Sequence, residues 1–261
     1  MRSRKAIEQK YRELEAGLSK NQSVFFVEDA EHIWGRIQKN SVYWYLSALI
    51  DAGYIRRIRK GMYALKEWKE PAVTAMSSAA TEIAGLLDES GFYYYVSGLD
   101  VLAGFMLHVP EQYPVILFAE KEAKDEVSEI LVRGKMRVIE PTRLKSELES
   151  AFFRHTDLPL IVLYPTTSFE YSCDGRAEAE KAFVDLYYAV TRNAYPLAIQ
   201  ELARIYENMR RTGGIDEKRL IRAAKARSIH YDIRFIVESG HITKEARMFD
   251  RILNGRKTNE D

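Results

Sequence analysis

Residues 33–66 concentrate side chains that could bind a polyanion. This stretch holds seven Lys and Arg residues and one acid, Asp51. Lysine and arginine that neutralise phosphates release counterions from DNA, and this release favours binding whatever the base sequence. Four polar residues within the stretch can hydrogen-bond to base edges or to phosphates: Gln38, Lys39, Asn40 and Ser41. The composition therefore predicts contact with nucleic acid.

These polar residues are predicted to begin a helix. Asn40 or Ser41 can cap the helix at its N-terminus, and Gly53 can end it because glycine takes the left-handed conformation at low cost. Apolar residues recur at helical spacing and predict its inward face: Val42, Tyr45, Leu46, Leu49 and Ile50. A first helix is predicted near residues 4–19, and a second begins with Asp29 as its cap.

A basic hairpin is predicted after this helix. Residues 54–58 and 62–65 are β-prone, and Gly61 supplies the turn between them. Four cations lie on the hairpin, where they would contact the DNA backbone or minor groove: Arg56, Arg57, Arg59 and Lys60. The alternative interpretation is a solvated strand edge whose charges prevent aggregation.

Three helices and a hairpin in about 65 residues indicate a winged helix-turn-helix. The N-terminal part of the third helix would then enter the major groove with Gln38 to Ser41, together with Tyr43. For Tyr43 and Trp44, helical spacing favours packing in the core or in a dimer over contact with bases. The whole pattern favours DNA contact over the solvated-edge interpretation.

The rest of the chain predicts a second, larger domain. Residues 1–70 carry 14 Lys and Arg against 9 Asp and Glu, whereas the remainder is mildly acidic. Strands alternate with helices up to about residue 177, and helices follow, so the predicted fold class is α+β (mixed) with a helical C-terminal part. We expect a winged domain over 1–70 and an effector domain over 71–261. One cysteine, no long apolar run and a charged N-terminus favour a cytoplasmic protein without a membrane span.

Three segments resemble AbiEi-type antitoxins, which are transcriptional regulators of type IV toxin–antitoxin and viral-defence systems. The first, Leu49–Leu65, combines a leucine-rich helix, a glycine, a basic wing and a G-x-Y ending; the others are Tyr93–Phe105 and Ala179–Leu186. The resemblance implies a regulator that binds inverted repeats in its own promoter on double-stranded DNA. It also implies a nucleotidyltransferase-like toxin as partner. We expect a homodimer on a two-fold repeat, because one small module rarely supplies enough affinity.

No complete catalytic motif appears, so we expect a protein that is not an enzyme and needs no metal or cofactor. The five histidines lie in separate segments without paired-ligand spacing. Glu122 and Lys124 match the end of a nuclease Asp…Glu-x-Lys core, but Asp100 precedes a predicted helix and does not complete it. Ser97 is interpreted as a helix cap. The alternatives are a nuclease-like enzyme delivered by the winged module, or a winged module that binds protein.

A second basic helix face is predicted near the C-terminus. Lys218, Arg222 and Lys225 share one face, with Arg219 and Arg227 nearby. A solvated face is the simpler interpretation. If the face is a partner site, an acidic toxin surface or a phosphate backbone would fit it.

Overall fold

The protein has a mixed α+β fold that divides into two compact units. The computed structural model describes residues 4–18, 23–35, 37–59, 61–67, 75–150, 157–213 and 215–245. The first unit comprises Met1–Ala72 with Glu207–Gly214, and the second comprises Val73–Tyr206 with Ile215–Asp261. Within the described residues, no helix is both long and apolar enough to cross a bilayer.

The first unit contains three helices and three strands that are contiguous in sequence. Their order along the chain is α1 (Arg4–Gly17), β1 (Val24–Phe26), α2 (Val27–Trp34), α3 (Lys39–Asp51), β2 (Ile55–Arg59) and β3 (Met62–Leu65). The strands form an antiparallel sheet with β3 between β1 and β2. Because β3 is the central strand, β1, which directly precedes α2, pairs with the second strand of the β2–β3 hairpin.

Apolar periodicity explains how the three helices pack on this sheet. Leu14, Ala30 and Leu46, one from each helix, are at most 1% exposed and share one core cluster with the sheet residues Phe25 and Tyr63. The opposite face of the sheet carries a second cluster. Gly213, from the split segment of this unit, lies close to Val24 and Ile58 of that cluster, so the segment reaches this face.

Two helix starts in the first unit differ from the sequence prediction. The N-cap of α3 is Gln38, in an extended conformation, and neither Asn40 nor Ser41. Helix α2 begins at Val27, and Asp29 acts from inside its first turn because its Oδ2 accepts the backbone N–H of Phe26 at 2.7 Å. An acidic side chain at the third helical position can accept a hydrogen bond from the backbone N–H of the N-cap residue. Asp29 therefore stabilises the start of α2 from inside the helix, and Phe26 is the N-cap residue.

The second unit is built on a six-stranded mixed sheet. Its strands are β4 (Tyr94–Ser97), β5 (Val115–Glu120), β6 (Arg137–Ile139), β7 (Leu160–Thr166), β8 (Ser172–Cys173) and β9 (Arg176–Ala177). They lie in the order β6-β7-β5-β4-β9-β8, with β7 parallel to both neighbours and β4 antiparallel to β5. Strands β5 and β7 are almost continuously apolar because both of their faces are buried.

Helices alternate with these strands and then follow them along the chain. They are α4 (Ser78–Ser90), α5 (Leu99–Leu102), α6 (Lys124–Arg133), α7 (Leu144–Glu149), α8 (Ala179–Asn193), α9 (Ile199–Thr212), α10 (Glu217–Lys225) and α11 (His230–Ser239). The residues of α9 from Glu207 onward belong to the first unit. Helices α4 and α6 pack with one face of the sheet in a single apolar cluster. The predicted change to helices after residue 177 matches α8 to α11.

One prediction for the second unit is wrong. Helix α5 ends at Leu102 and continues only as a 3-10 turn, Ala103–Phe105. Ser97 does not cap it: Ser97 is the fully buried last residue of β4, and the N-cap is Gly98. The Ser97 hydroxyl donates to Asp185 instead, and this partner lies 88 residues along the chain.

Candidate nucleic-acid interface

The N-terminus of α3 presents polar side chains to solvent. Gln38, Lys39 and Asn40 are exposed, and Ser41 is partly buried. The first turn contains no acidic residue. The free backbone N–H groups of a helix N-terminus attract anions, so this end of α3 favours a phosphate or a base carbonyl.

Lys39 is only weakly engaged by a carboxylate of the protein itself. Its Nζ lies 3.7 Å from Glu31 Oε1, and its side chain is 69% exposed. An exposed ion pair at this distance is worth about 0–1 kcal/mol and is screened by salt. Most of the Lys39 side chain therefore remains exposed to an approaching phosphate.

The register of the hairpin sends its two described arginines to opposite faces of the sheet. Arg56 pairs with Ala64, and Arg57 pairs with Tyr63. Successive side chains on a strand point to opposite faces. Tyr63 belongs to the core cluster on the helical side and Ala64 to the cluster on the other side. Arg57 therefore lies on the same side of the sheet as α3, and Arg56 does not.

Arg57 and Tyr43 both lie within electrostatic range of Tyr63. Burial raises the pKa of the Tyr63 hydroxyl, the Arg57 guanidinium lowers it, and Tyr43 raises it. The register places Arg57 on the side of the sheet where α3 packs, and α3 presents exposed residues of its own. We call these exposed residues the α3–Arg57 surface: Lys39, Asn40, Tyr43, Trp44 and Arg57.

Tyr43 and Trp44 do not lie in the core. Tyr43 is 47% exposed and Trp44 is 43% exposed, whereas the neighbouring Tyr45 is buried. Trp44 packs edge-on against Tyr45 with ring centroids 5.2 Å apart, so its position is fixed although its outer face is open. The core-packing interpretation of these two aromatic residues is therefore wrong.

The two remaining predicted contact residues on the hairpin are Arg59 and Lys60. The backbone of Arg59 belongs to β2, and its pairing with Met62 follows a bulge after Arg57. The side chain of Arg59 and the whole of Lys60 lie outside the described residues.

The basic face near the C-terminus lies on α10, as the spacing predicted. Lys218, Arg222 and Lys225 are exposed on this helix, while Leu220, Ala223 and Ala224 are buried on its other side. The two neighbouring cations are used internally: Arg219 pairs with Glu178, and Arg227 pairs with Asp185.

A buried polar cluster in the second unit was missed by the sequence reasoning. Asp185 on α8 is 3% exposed; it accepts the Ser97 hydroxyl at 2.9 Å and Arg227 Nε at 3.0 Å. The Arg227 guanidinium also lies 4.3 Å from the centre of the Phe118 ring. Lys181, one turn before Asp185, has its pKa lowered by burial, which the Asp185 carboxylate counteracts. In the sequence, the only local signal of this cluster is the spacing of Lys181 and Asp185 by one helical turn.

The cluster rests on a row of stacked aromatic rings. Tyr95, Phe118 and Tyr164 are register partners on β4, β5 and β7, with successive ring centroids 4.6 and 4.8 Å apart. Burial raises the pKa values of Tyr95 and Tyr164 far above that of free tyrosine. These groups stay protonated at neutral pH and act in packing and hydrogen bonding.

The residues of the hypothetical nuclease core are not assembled by any contact of the described chain. Asp100 is 1% exposed, and its Oδ1 accepts the Ser77 backbone N–H and the Tyr113 hydroxyl. Lys124 instead pairs with Glu140, whose pKa it lowers. Among the described residues, no group of three His, Cys, Asp or Glu side chains could hold a metal ion.

A cavity of about 190 Å³ lies in the second unit beside the N-terminus of α4. Its lining includes Ser77, Tyr113 and the charged residues Glu111, Arg137 and Asp157. Arg137 already pairs with Glu147. Charges of both signs line the cavity, so the lining does not select a cation or an anion by charge alone.

Comparison with known proteins gives a family and no activity. None of the curated proteins compared with the chain matches it. One family model matches residues 41–243, from the first turn of α3 to just beyond α11. This match covers most of the 261-residue chain, and the protein therefore belongs to DUF6577, a family of unknown function.

Proposed function

We propose that the protein is a sequence-specific DNA-binding transcriptional regulator whose first unit is a winged helix-turn-helix. In this proposal α3 is the recognition helix and the β2–β3 hairpin is the wing. The order α1-β1-α2-α3-β2-β3, with β1 paired to β3, is typical of winged-helix domains and supports the assignment. The chain acts by binding and carries out no reaction of its own.

The observation that carries the proposal is the α3–Arg57 surface. Arg57 is exposed on the side of the sheet where α3 packs, and α3 begins with an exposed Lys39 and no acid in its first turn. A helix N-terminus and arginine are both suited to phosphate, and Asn40 has an amide that can pair with adenine. The alternative interpretation is that the hairpin cations only prevent aggregation at a strand edge. That role would not require polar groups on the neighbouring helix.

A narrower proposal concerns the role of the regulator. The resemblance to AbiEi-type antitoxins supports an autorepressing antitoxin that binds an inverted repeat as a homodimer and counteracts a nucleotidyltransferase-like toxin. The second unit would then hold the toxin, and α10 offers Lys218, Arg222 and Lys225 for an acidic partner surface. Co-expression with a neighbouring nucleotidyltransferase-like gene tests this role: rescue of growth supports it, and undiminished toxicity opposes it.

The hairpin register gives a matched pair of variants that tests DNA binding. The probe is a labelled duplex containing the DNA upstream of the gene, and binding is measured by fluorescence anisotropy over a series of salt concentrations. Arg57→Ala should weaken binding and reduce the slope of log K against log salt by about one, the amount expected for one lost phosphate contact. Arg56→Ala removes the same charge from the opposite face and should change the slope much less.

Two results would count against the proposal. Absence of any binding at low salt would remove DNA binding altogether. Equal losses for the two arginine variants would mean that the cations act only through net charge, and that α3 and Arg57 do not form a defined contact surface. Circular dichroism spectra of both variants control for folding.

A further inference from the structure

Two aromatic side chains lie side by side in the middle of the proposed recognition surface. Tyr43 and Trp44 are 47% and 43% exposed, although each has a large apolar ring. They lie on the same face of α3 as Asn40 and Ser47, which are also exposed. Exposed aromatic residues with a polar rim mark interaction sites, because burial of such a ring on binding contributes strongly to affinity.

The surroundings of the two rings favour DNA over a second protein as the occupant. Lys39 and Asn40 precede the rings on α3, and the exposed Arg57 lies on the same side of the sheet as α3. The only acid on α3, Asp51, lies at its far end. A cationic and amide-bearing rim complements phosphates and base edges.

The spacing of the face matches successive base pairs. Asn40 precedes Tyr43 and Trp44 by three and four residues, or roughly 4.5–6 Å along a helix that rises 1.5 Å per residue. Base pairs are stacked about 3.4 Å apart, so the two positions face bases one or two steps from each other. Asparagine pairs with adenine N6 and N7, and apolar side chains contact the C5-methyl group of thymine.

We propose that α3 reads A·T base pairs, with Asn40 hydrogen-bonded to an adenine and Tyr43 and Trp44 packed on thymine methyl groups one or two steps away. The inference rests on the proposed function and adds the chemical class of the site: a major-groove sequence that contains thymine methyls beside an adenine. The Tyr43 ring supplies apolar surface in this contact, and its hydroxyl is not required.

The thymine methyl can be removed without any other change to the DNA. The full-length protein first selects a duplex from a randomised pool, and that duplex is then synthesised with deoxyuridine in place of individual thymidines. Each contacted methyl should contribute about fourfold to affinity, the value for burial of one methyl-sized group. Tyr43→Phe should keep this discrimination between thymine and uracil, whereas Tyr43→Ala should reduce it. Tyr231→Ala, which removes a 72% exposed ring from α11, is the matched control and should change nothing.

Each outcome has a distinct meaning. Equal binding of the thymine and uracil duplexes by the unaltered protein overturns the methyl contact and leaves DNA binding in place. Failure to select any duplex overturns the proposed function as well. If Tyr43→Ala changes the oligomeric state in light scattering and leaves the thymine-to-uracil ratio unaltered, the face is a protein interface and the inference is wrong.

Discussion

Replacement of Asp185 by asparagine should destabilise the second unit severely. The Asp185 carboxylate holds the Ser97 hydroxyl and Arg227 Nε at 2.9 and 3.0 Å, and Asp185 itself is 3% exposed. The Arg227 side chain is 19% exposed and stands over the Phe118 ring. Asparagine keeps the shape but removes the negative charge, so the Arg227 cation and the buried Lys181 lose a neighbouring counter-charge.

The expected magnitude follows from burial. Removing one partner of a buried ion pair costs about 3–5 kcal/mol, because the other charge remains desolvated. With a urea dependence of about 2 kcal/mol per molar, typical of small proteins, the midpoint should fall by roughly 2 M. Asp232→Asn is the matched control, since Asp232 pairs with Arg192 at 3.3 Å through side chains that are 41% and 55% exposed. Such an exposed pair is worth less than about 1 kcal/mol.

Urea unfolding followed by two signals tests the prediction. All three tryptophans of the chain lie within residues 1–72, so their fluorescence follows the first unit, whereas far-ultraviolet circular dichroism also follows the second. The Asp185→Asn loss should appear in the dichroism transition. A loss no larger than that of Asp232→Asn would refute the reasoning, because it would mean that solvent reaches Arg227 and replaces the missing carboxylate.

Further predictions concern two glycines and the buried tyrosines. Gly98→Ala should destabilise the protein by more than about 1 kcal/mol in thermal unfolding, since Gly98 has φ +70° and its added Cβ would lie 2.8 Å from Ile116 Cδ1. Gly85→Ala, inside α4 with open space around it, should stabilise by up to about 1 kcal/mol. Burial, followed by the charge of Asp100, raises the pKa of Tyr113 to about 12. Its contribution to stability is therefore complete below pH 10, the ordinary tyrosine value, and is lost as the pH rises through about 12. Absorbance titration should show the tyrosines ionising later in the native protein than in denaturant; coincident curves would contradict the burial.

Local periodicity predicted much of the fold, and long-range pairing explains what it missed. The inward face of α3 could be predicted because a 3.6-residue repeat is local, and its members Val42, Leu46 and Leu49 are buried. The pairing of β1 with β3 joins Val24 to Ala64, and nothing in either short segment specifies the other. Ser97 was assigned to a helix cap for the same reason, since its partner Asp185 is distant in sequence.

The residue types of the candidate site could be predicted more accurately than the directions in which their side chains point. The polar residues at the start of α3 and the cations on the hairpin were visible in the composition. Whether Arg56 or Arg57 faces the helices depends on the strand register, which one inserted residue would reverse. Tyr43 and Trp44 follow the buried Val42 directly, so a one-dimensional pattern does not show where the apolar face ends and the exposed face begins.

The structure also changes what the charge count means, because a cation held in an ion pair within the fold offers less charge to a partner. The segment 218–227 contains five cations and no acid, which alone would make it a stronger polyanion site than α3. Arg227 and Arg219, however, neutralise Asp185 and Glu178 within the second unit. The three that remain exposed on α10 are not accompanied on that helix by exposed aromatic or amide side chains that could read a sequence. On the α3–Arg57 surface, cations, an amide and two aromatic rings occur together, so sequence-specific contact is expected there, and α10 is better suited to non-specific attraction of an acidic partner.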